Sequence, residues 1–374
     1  MKISVIMPVY NCREYLEAAV KSVFAAGVDD IELIAVDDCS TDDSHIILSR
    51  LAEENPRIRP VYNEKNMGVA AVRNLALALA QGEFLAFCDS DDTVPEGAYR
   101  HLLDAAEGCD VVIGGFADMS DSGIVRTTYL HSSERTSLFK ALMAVGCLWT
   151  KLIRRSAVTD AGLHFDEDMR IGEDVVFLSR LSTLPLKYTV IDKMIYNHLH
   201  HDSAVTPSLT HVYSYTAFKS HLECRKRMLA ICEEGGVSEC RGYVYENFST
   251  YLDRFMSFIA DYDERRRAFY EFRDYLKGYD WENKKELFRA LFGIGYEDMM
   301  STTPDGYIQL KYDVLPRDAV AAEFRAGKIG LRWIFTYLRG WLSYKLKKKL
   351  QRLYLTARFY YNQEETITKE LRLC

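Results

Sequence analysis

The sequence predicts an α/β fold with a mostly parallel central sheet, followed by an all-helical C-terminal region. Three observations carry this. Over the first hundred residues, short apolar runs alternate with segments of helical period. The links between them are short, which in consecutive β-α units implies right-handed crossovers and parallel strands. Beyond about residue 208 the pattern changes to helical periodicity almost alone. Strands are expected over 3–9, 31–36, 58–62 and 84–88, and helices over 13–26, 42–54, 69–80 and 95–106. The strand runs are apolar nearly throughout, as in sheets covered on both faces. A further strand is expected over 110–116, one around 125–130, helices over 136–145 and 175–184, and a last strand over 187–196. In such sheets ligands sit outside the carboxyl ends of the strands. The polar clusters lie there: Tyr10-Asn11 after the first strand, Asp37-Asp38 after the second, Asp89 to Asp92 after the fourth.

The chain divides into residues 1–207, a helical region over 208–324, and a basic, aromatic segment with its tail over 325–374; no Gly/Ser-rich or Pro-rich linker separates them. A composition of 48% hydrophobic and 27% charged residues excludes a disordered chain. No run of about 18 apolar residues and no signal-peptide pattern is found, and the nine cysteines form no CxxC pair. Reduced thiols and a cytoplasmic location are expected. The net charge of −7 hides an asymmetry: residues 325–361 carry +10, which leaves −16 on residues 1–324.

Asp89-Ser90-Asp91-Asp92 directly follows the apolar run 84–88 and puts several hard oxygen ligands on one tight turn. Such a turn suits Mg²⁺ or Mn²⁺, with water and diphosphate oxygens completing the shell. The same residues also suit a turn that caps the helix starting near Pro95. Asp37 suits an N-terminal cap for the helix at 42–54. Glu173 and Asp174 suit the first turn of a helix through the macrodipole alone.

Four motifs, in order, set these readings in a wider pattern: Ser4-Val5-Ile6-Met7-Pro8-Val9-Tyr10-Asn11, Val36-Asp37-Asp38-Cys39-Ser40-Thr41-Asp42, Asn66-Met67-Gly68 through Arg73-Asn74, and Asp89-Ser90-Asp91-Asp92. With Trp149-Thr150-Lys151-Leu152-Ile153-Arg154-Arg155 and Ile171-Gly172-Glu173-Asp174, they closely resemble a family 2 glycosyltransferase of GT-A fold, of the bacterial cell-surface polysaccharide type, over about residues 1–207. The resemblance implies that Pro8, Tyr10 and Asp38 hold the nucleobase. It places Asn66 and Arg73 near the nucleotide, Asp89 and Ser90 at the donor, Asp91 on the metal, and Asp92 in support. It makes Asp174 the base that takes the acceptor hydroxyl's proton, with Glu173 orienting the acceptor or Asp174. Trp149 and Lys151 would line the acceptor cleft, with core packing the alternative for Trp149. His201 and Ser203 fall in a segment that resembles the family's lid over the diphosphate, where histidines stand in place of a common arginine.

The expected activity is therefore inverting, metal-dependent transfer of a hexosyl or N-acetylhexosaminyl group from a nucleotide-sugar, with UDP favoured, to a hydroxyl of a cell-surface glycan or lipid-linked saccharide. The alternatives are a sugar nucleotidyltransferase, for which 7–13 lacks the Gly-rich basic loop, and a non-catalytic membrane-associated scaffold or sugar-binding protein. The basic aromatic stretch 330–361 suits an anionic membrane surface at the inner face of the cell membrane; a solvated helix packed on the protein is the plain reading. Nothing resembles a nucleic-acid module. The helical region is compatible with a homo-oligomer.

Overall fold

A computed structural model describes residues 2–120, 123–128, 137–199, 214–245 and parts of 252–307. Eight strands form one sheet: β1 (Ile3–Val9), β2 (Ile31–Asp37), β3 (Ile58–Tyr62), β4 (Phe84–Phe87), β5 (Val111–Ser120), β6 (Gly123–Thr128), β7 (Lys151–Arg154) and β8 (Tyr188–Leu199). The order is β3-β2-β1-β4-β7-β5-β6, with β8 paired to β5. Pairings among β3, β2, β1 and β4 are parallel, as is β5 with β8; β7 runs antiparallel to both its neighbours and β6 antiparallel to β5. The expected mostly parallel sheet is thus present. The strand inside the motif 149–155 was not legible, because four residues carrying Lys151 and Arg154 show no apolar run.

Helices α1 (Leu16–Ala25), α2 (Ser44–Glu54), α3 (Val69–Leu79) and α4 (Ala98–Asp104) connect the first five strands. They cover both faces, and the alternation of β1 shows how. Ile3, Val5, Met7 and Val9 join one core with Leu16, Val20 and Val23 of α1. Ile6 points the other way, into a second core with Val36 of β2 and Ala70, Val72 and Ala76 of α3. After β3 the chain returns past β1 to lay down β4 on its other side. The strand order reverses between β1 and β4, and the crevice at their carboxyl ends is where this topology binds ligands.

Further along come α5 (Leu138–Ala144), α6 (Arg155–Thr159), α7 (Glu173–Ser182) and α8 (Tyr215–Glu234). The first compact unit comprises Met1–Val212 and Thr216–Tyr245, so it extends past the boundary expected at 207. The reason is burial: Met228, Cys232, Cys240 and Val244 belong to the same core as α3, α5 and α7. The second unit holds the helices Tyr262–Leu276, capped by Asp261, which accepts from the Glu264 N–H at 2.8 Å, and Tyr296–Ser301. Its buried aromatics include Phe255, Phe269, Phe272 and Trp281. The segment 330–361, with the rest of 308–374, lies outside the described residues. No described helix is long and apolar enough to cross a membrane, and the eight described cysteines are free thiols.

At the amino end of the sheet a buried polar knot joins β1, β2 and the turn before β4. The Ser4 hydroxyl donates to Glu32 Oε1 at 2.5 Å, and the Gln81 and Gly82 N–H groups donate to Ser4 Oγ at 3.1 and 2.7 Å. A Cβ on Gly82 would stand 2.5 Å from the Ser4 nitrogen and 2.7 Å from the Ile3 carbonyl carbon. Gly82→Ala should therefore destabilise the protein by about 1–3 kcal/mol through overpacking, read as a lower urea midpoint at unchanged slope.

Candidate active site

Three loops meet at the carboxyl ends of the strands. Asn11 and Cys39 are the described non-glycine residues with positive φ, at 49° and 62°, and they stand in the loops after β1 and β2. These loops are laced together: the Thr41 N–H donates to Asn11 Oδ1 at 2.7 Å, and the Asn11 N–H to Ser40 Oγ at 3.0 Å. Ser40 in turn donates its hydroxyl to Asp37 Oδ1. Asp37 therefore closes its own turn instead of capping α2, whose N-cap is Asp43. The third loop joins through Cys12, whose thiol lies in hydrogen-bond contact with Ser90 and Ser44; burial pushes that thiol up.

Asp38 is buried and accepts three hydrogen bonds: from Asn63 Nδ2 and the Met67 N–H on Oδ1, and from the Gly68 N–H on Oδ2, each at 2.8 Å. Asn66 Nδ2 donates to the Asp38 carbonyl at 3.3 Å. The carboxylate thus holds the loop that opens α3, where Gly68 has a φ of 86°. Tyr10, half exposed at 50%, stands beside it at the end of β1, next to partly buried Pro8.

The acidic turn is tied to β8. Tyr196 accepts from the Asp89 N–H at 3.0 Å and donates its hydroxyl to Asp92 Oδ2 at 2.8 Å, while the Leu199 N–H donates to Asp92 Oδ1 at 2.6 Å. Burial, then the neighbouring Asp89 and Asp91, push Asp92 up to about 8. The turn does not cap α4, which begins at Ala98 after Gly97. Asp92 anchors the turn, leaving Asp89 and Asp91 as its partly exposed carboxylates.

From the other side comes α7. Gly172 takes a φ of 83°, and Glu173 and Asp174 open the helix. Arg73, on α3 and 8% exposed in its side chain, donates Nη1 to Glu173 Oε1 at 2.6 Å and Nη2 to Asp89 Oδ1 at 3.2 Å. Its guanidinium lies 5.7 Å from the Phe165 ring centroid. The next residue, Asn74, clamps the Phe165 backbone, donating to its carbonyl at 2.9 Å and accepting from its N–H at 2.8 Å. Asp174 is pushed up to about 7, first by burial and next by Glu173, against the pull of Arg73. The structure thus brings Asp89, Arg73, Glu173 and Asp174 into one electrostatic group.

Two acceptor-side expectations change. Lys151 does not line a cleft: it is buried at 1% exposure, and Nζ donates to the carbonyls of Val145 and Cys147, each at 2.6 Å, and to Thr150 Oγ1 at 2.9 Å. All three of its protons are thereby used inside the protein. Trp149 stacks on Tyr196 at 4.4 Å and on His198 at 5.7 Å, with Phe116 edge-on at 4.8 Å. His198 bonds Asp118 at 2.9 Å. His201 and Ser203 lie outside the described residues. Sequence reasoning missed Tyr196, whose hydroxyl organises the acidic turn; inside a run read as a strand, nothing marked it.

It also missed Arg227 of α8, which grips Asp166 at 2.9 Å and Asp168 at 2.6 Å in the loop before Gly172.

Residues 4–160 match the family model Glycosyl transferase family 2. This stretch is a family 2 glycosyltransferase domain. The chain is 36% identical over 156 residues to TuaG of Bacillus subtilis (strain 168), a glycosyltransferase assigned to teichuronic acid biosynthesis, covering 41% of this chain and 62% of that protein. It is 29% identical over 236 residues to the uncharacterized glycosyltransferase EpsJ of the same organism, covering 59% of this chain and 66% of that one. The chain thus spans less than two thirds of either relative. Among solved structures, S. aureus TarS 1-349 in complex with UDP superposes with a TM-score of 0.61 at 19% identity, covering 87% of this chain and 92% of that one. TarS 1-349 in complex with UDP-GlcNAc gives 0.61 at 19%, covering 88% and 93%. The fold is therefore the GT-A fold, and the family match contains the acidic turn and Arg73, while Glu173 and Asp174 lie beyond it.

Removing the Arg73 charge leaves buried Glu173 and nearby Asp89 without their partner. Arg73→Met should destabilise the protein by about 3–5 kcal/mol, seen as a lowered urea midpoint, and Arg73→Lys should lose part of this because it forfeits the two-carboxylate fork.

Proposed function

We propose that the protein is an inverting, metal-dependent glycosyltransferase that moves a sugar from a UDP-sugar to a hydroxyl of a bacterial cell-surface glycan or lipid-linked saccharide. The observation that carries this reading is the Asp89–Arg73–Glu173 bridge, which holds the acidic donor turn and the Asp174 helix start against one another. TuaG's assignment and the UDP and UDP-GlcNAc complexes of TarS support the substrate class.

In this reading Tyr10, Pro8 and the loop held by Asp38 and Asn66 receive the base, and Asp89 and Ser90 the ribose side of the donor. Asp91, a partly exposed carboxylate on the acidic turn, offers the hard oxygen that a divalent cation prefers and would hold Mn²⁺ or Mg²⁺ with the remaining oxygens coming from diphosphate and water. When bound, the metal ion supplies charge stabilisation to the departing diphosphate. Asp174 accepts the proton of the acceptor hydroxyl as its oxygen bonds to the anomeric carbon from the face opposite the leaving group. The bond from that carbon to the diphosphate oxygen breaks, and the electron pair leaves with UDP. Attack from the opposite face inverts the anomeric centre. Glu173, fixed by Arg73, keeps the helix start in place. The basic stretch 330–361 would bring the protein to the inner face of the membrane, where lipid-linked acceptors lie.

Asp174→Asn should lower transfer from a UDP-sugar by about 10²–10⁴-fold with UDP affinity unchanged in calorimetry; turnover near wild type would refute the base assignment. UDP should bind more tightly with Mn²⁺ than with EDTA, and more tightly than GDP. Protonated Asp174 cannot accept a proton, so wild-type turnover should rise with pH through about 7, instead of levelling off in the ordinary carboxylate range. Deleting residues from 330 onward should release the protein from anionic vesicles in co-sedimentation.

A further inference from the structure

The turn that carries Asp91 is held from outside by the end of β8. The Asp92 N–H donates to the Asp89 carbonyl at 3.2 Å, so Asp89 to Asp92 form a β-turn with Ser90 and Asp91 as its central pair. One hydroxyl spans the two ends of this turn: Tyr196 Oη accepts from the Asp89 N–H at 3.0 Å and donates to Asp92 Oδ2 at 2.8 Å. A phenol has one proton to give and a lone pair to receive with, so a single hydroxyl serves both ends. Directly beyond the turn, the Thr93 N–H donates to the Asn197 carbonyl at 3.2 Å and the Asn197 N–H to the Thr93 carbonyl at 2.9 Å. Asn197 Nδ2 adds a bond to Thr93 Oγ1 at 3.2 Å, and the Leu199 N–H closes the row on Asp92 Oδ1 at 2.6 Å.

Tyr196 is itself fixed by packing. It is fully buried in one core with Cys88 and Val94, the residues that flank the segment 89–93, and its ring stacks on Trp149 at 4.4 Å with 12° between the planes. A phenylalanine would serve that packing equally well. The hydroxyl is what packing leaves unexplained, and both of its bonds go to the acidic turn. A carboxylate whose supporting hydrogen bonds are already in place binds a metal ion more tightly, because ordering the ligand is no longer part of the cost.

We propose that Tyr196 is a positioning residue for the metal-bearing turn: its hydroxyl ties Asp89 to Asp92 and so holds the turn that presents Asp91 to the cation accompanying the donor diphosphate. This rests on the reading of Asp91 as the metal ligand, and it goes beyond it by assigning the group on β8 that sets the shape of the turn.

The test uses the full chain. Tyr196→Phe keeps the ring and removes the hydroxyl, and UDP affinity is measured by calorimetry with Mn²⁺ and with EDTA. The gain in affinity that Mn²⁺ gives should fall about tenfold in Tyr196→Phe, while affinity in EDTA stays at the wild-type value. Gly82→Ala, at the opposite end of the sheet, controls for lost stability and should keep the whole Mn²⁺ gain. An undiminished gain in Tyr196→Phe, or an equal loss in Gly82→Ala, overturns the proposal. A second arm needs no substitution: in metal-free wild type the Asp89 amide should already exchange its hydrogen slowly, being bonded to Tyr196 before any cation arrives. Exchange as fast as in an unstructured peptide until Mn²⁺ and UDP are added likewise overturns it. Equal wild-type affinity in Mn²⁺ and in EDTA would instead overturn the metal reading of Asp91, and this role of Tyr196 with it.

Discussion

The architecture of the site depends on one buried guanidinium. Arg73 reaches from the middle of α3 to Glu173, 100 residues on in sequence, and to Asp89, 16 residues on, and so joins two separate segments. Water is nearly excluded around it, since the side chain is 8% exposed, and its Nε has no hydrogen-bond partner. A cation so placed needs both carboxylates, and they need it. The bond is a constraint on position as much as a source of stability. With Arg73 fixed in α3, its two ion pairs tie the loop after β4 to the start of α7.

Around this bridge the protein repeats one device: a polar side chain is committed inward so that its neighbour can face the cleft. Asp92 accepts from Tyr196 and Leu199 and so anchors the turn that presents Asp89 and Asp91. Asp38 accepts from the backbone of Met67 and Gly68 and shapes the loop that would meet a base. Asn74 ties down Phe165, on which the Arg73 guanidinium rests. Lys151 fills the same kind of role for the turn beside Asp174. Asp92 and Asp38 stand next to partly exposed residues, so those two motifs read as pairs of a support and a contact.

This pairing explains how much the sequence discloses. The strand runs at 3–9 and 31–36 were legible because both faces of a covered parallel sheet select apolar residues, and the polar residues at their ends marked the cleft. Which member of a motif faces the cleft was not legible. Lys151 looks like a cleft residue by type and by motif, yet the oxygens of Val145, Cys147 and Thr150, one to six residues before it in the chain, take all three of its protons inside the protein. Tyr196 is an apolar strand residue by pattern, and its role arises from a hydroxyl that meets Asp89 and Asp92 about a hundred residues away. Periodicity reports which face a residue takes in its own element; it carries no information on partners brought in by another element.

The domain boundary follows the same logic at a larger scale. Among the described residues after 208 the helical periodicity matches the helices Tyr215–Glu234, Tyr262–Leu276 and Tyr296–Ser301, but helix type does not say which core a helix serves. Gly172 decides it. Its φ of 83° excludes most side chains, and a Cβ there would stand 2.5 Å from Cys224 Sγ of α8. Cys224 donates to the Gly172 carbonyl at 3.5 Å, and Arg227, one turn further along, holds Asp166 and Asp168. The loop that presents Glu173 and Asp174 is therefore packed from behind by α8, and Met228 and Cys232 on the same helix complete the core under α7. A unit ending at 207 would lose the surface packed behind Glu173 and Asp174, so the compact unit includes α8, a helix that carries none of the motifs read in the sequence.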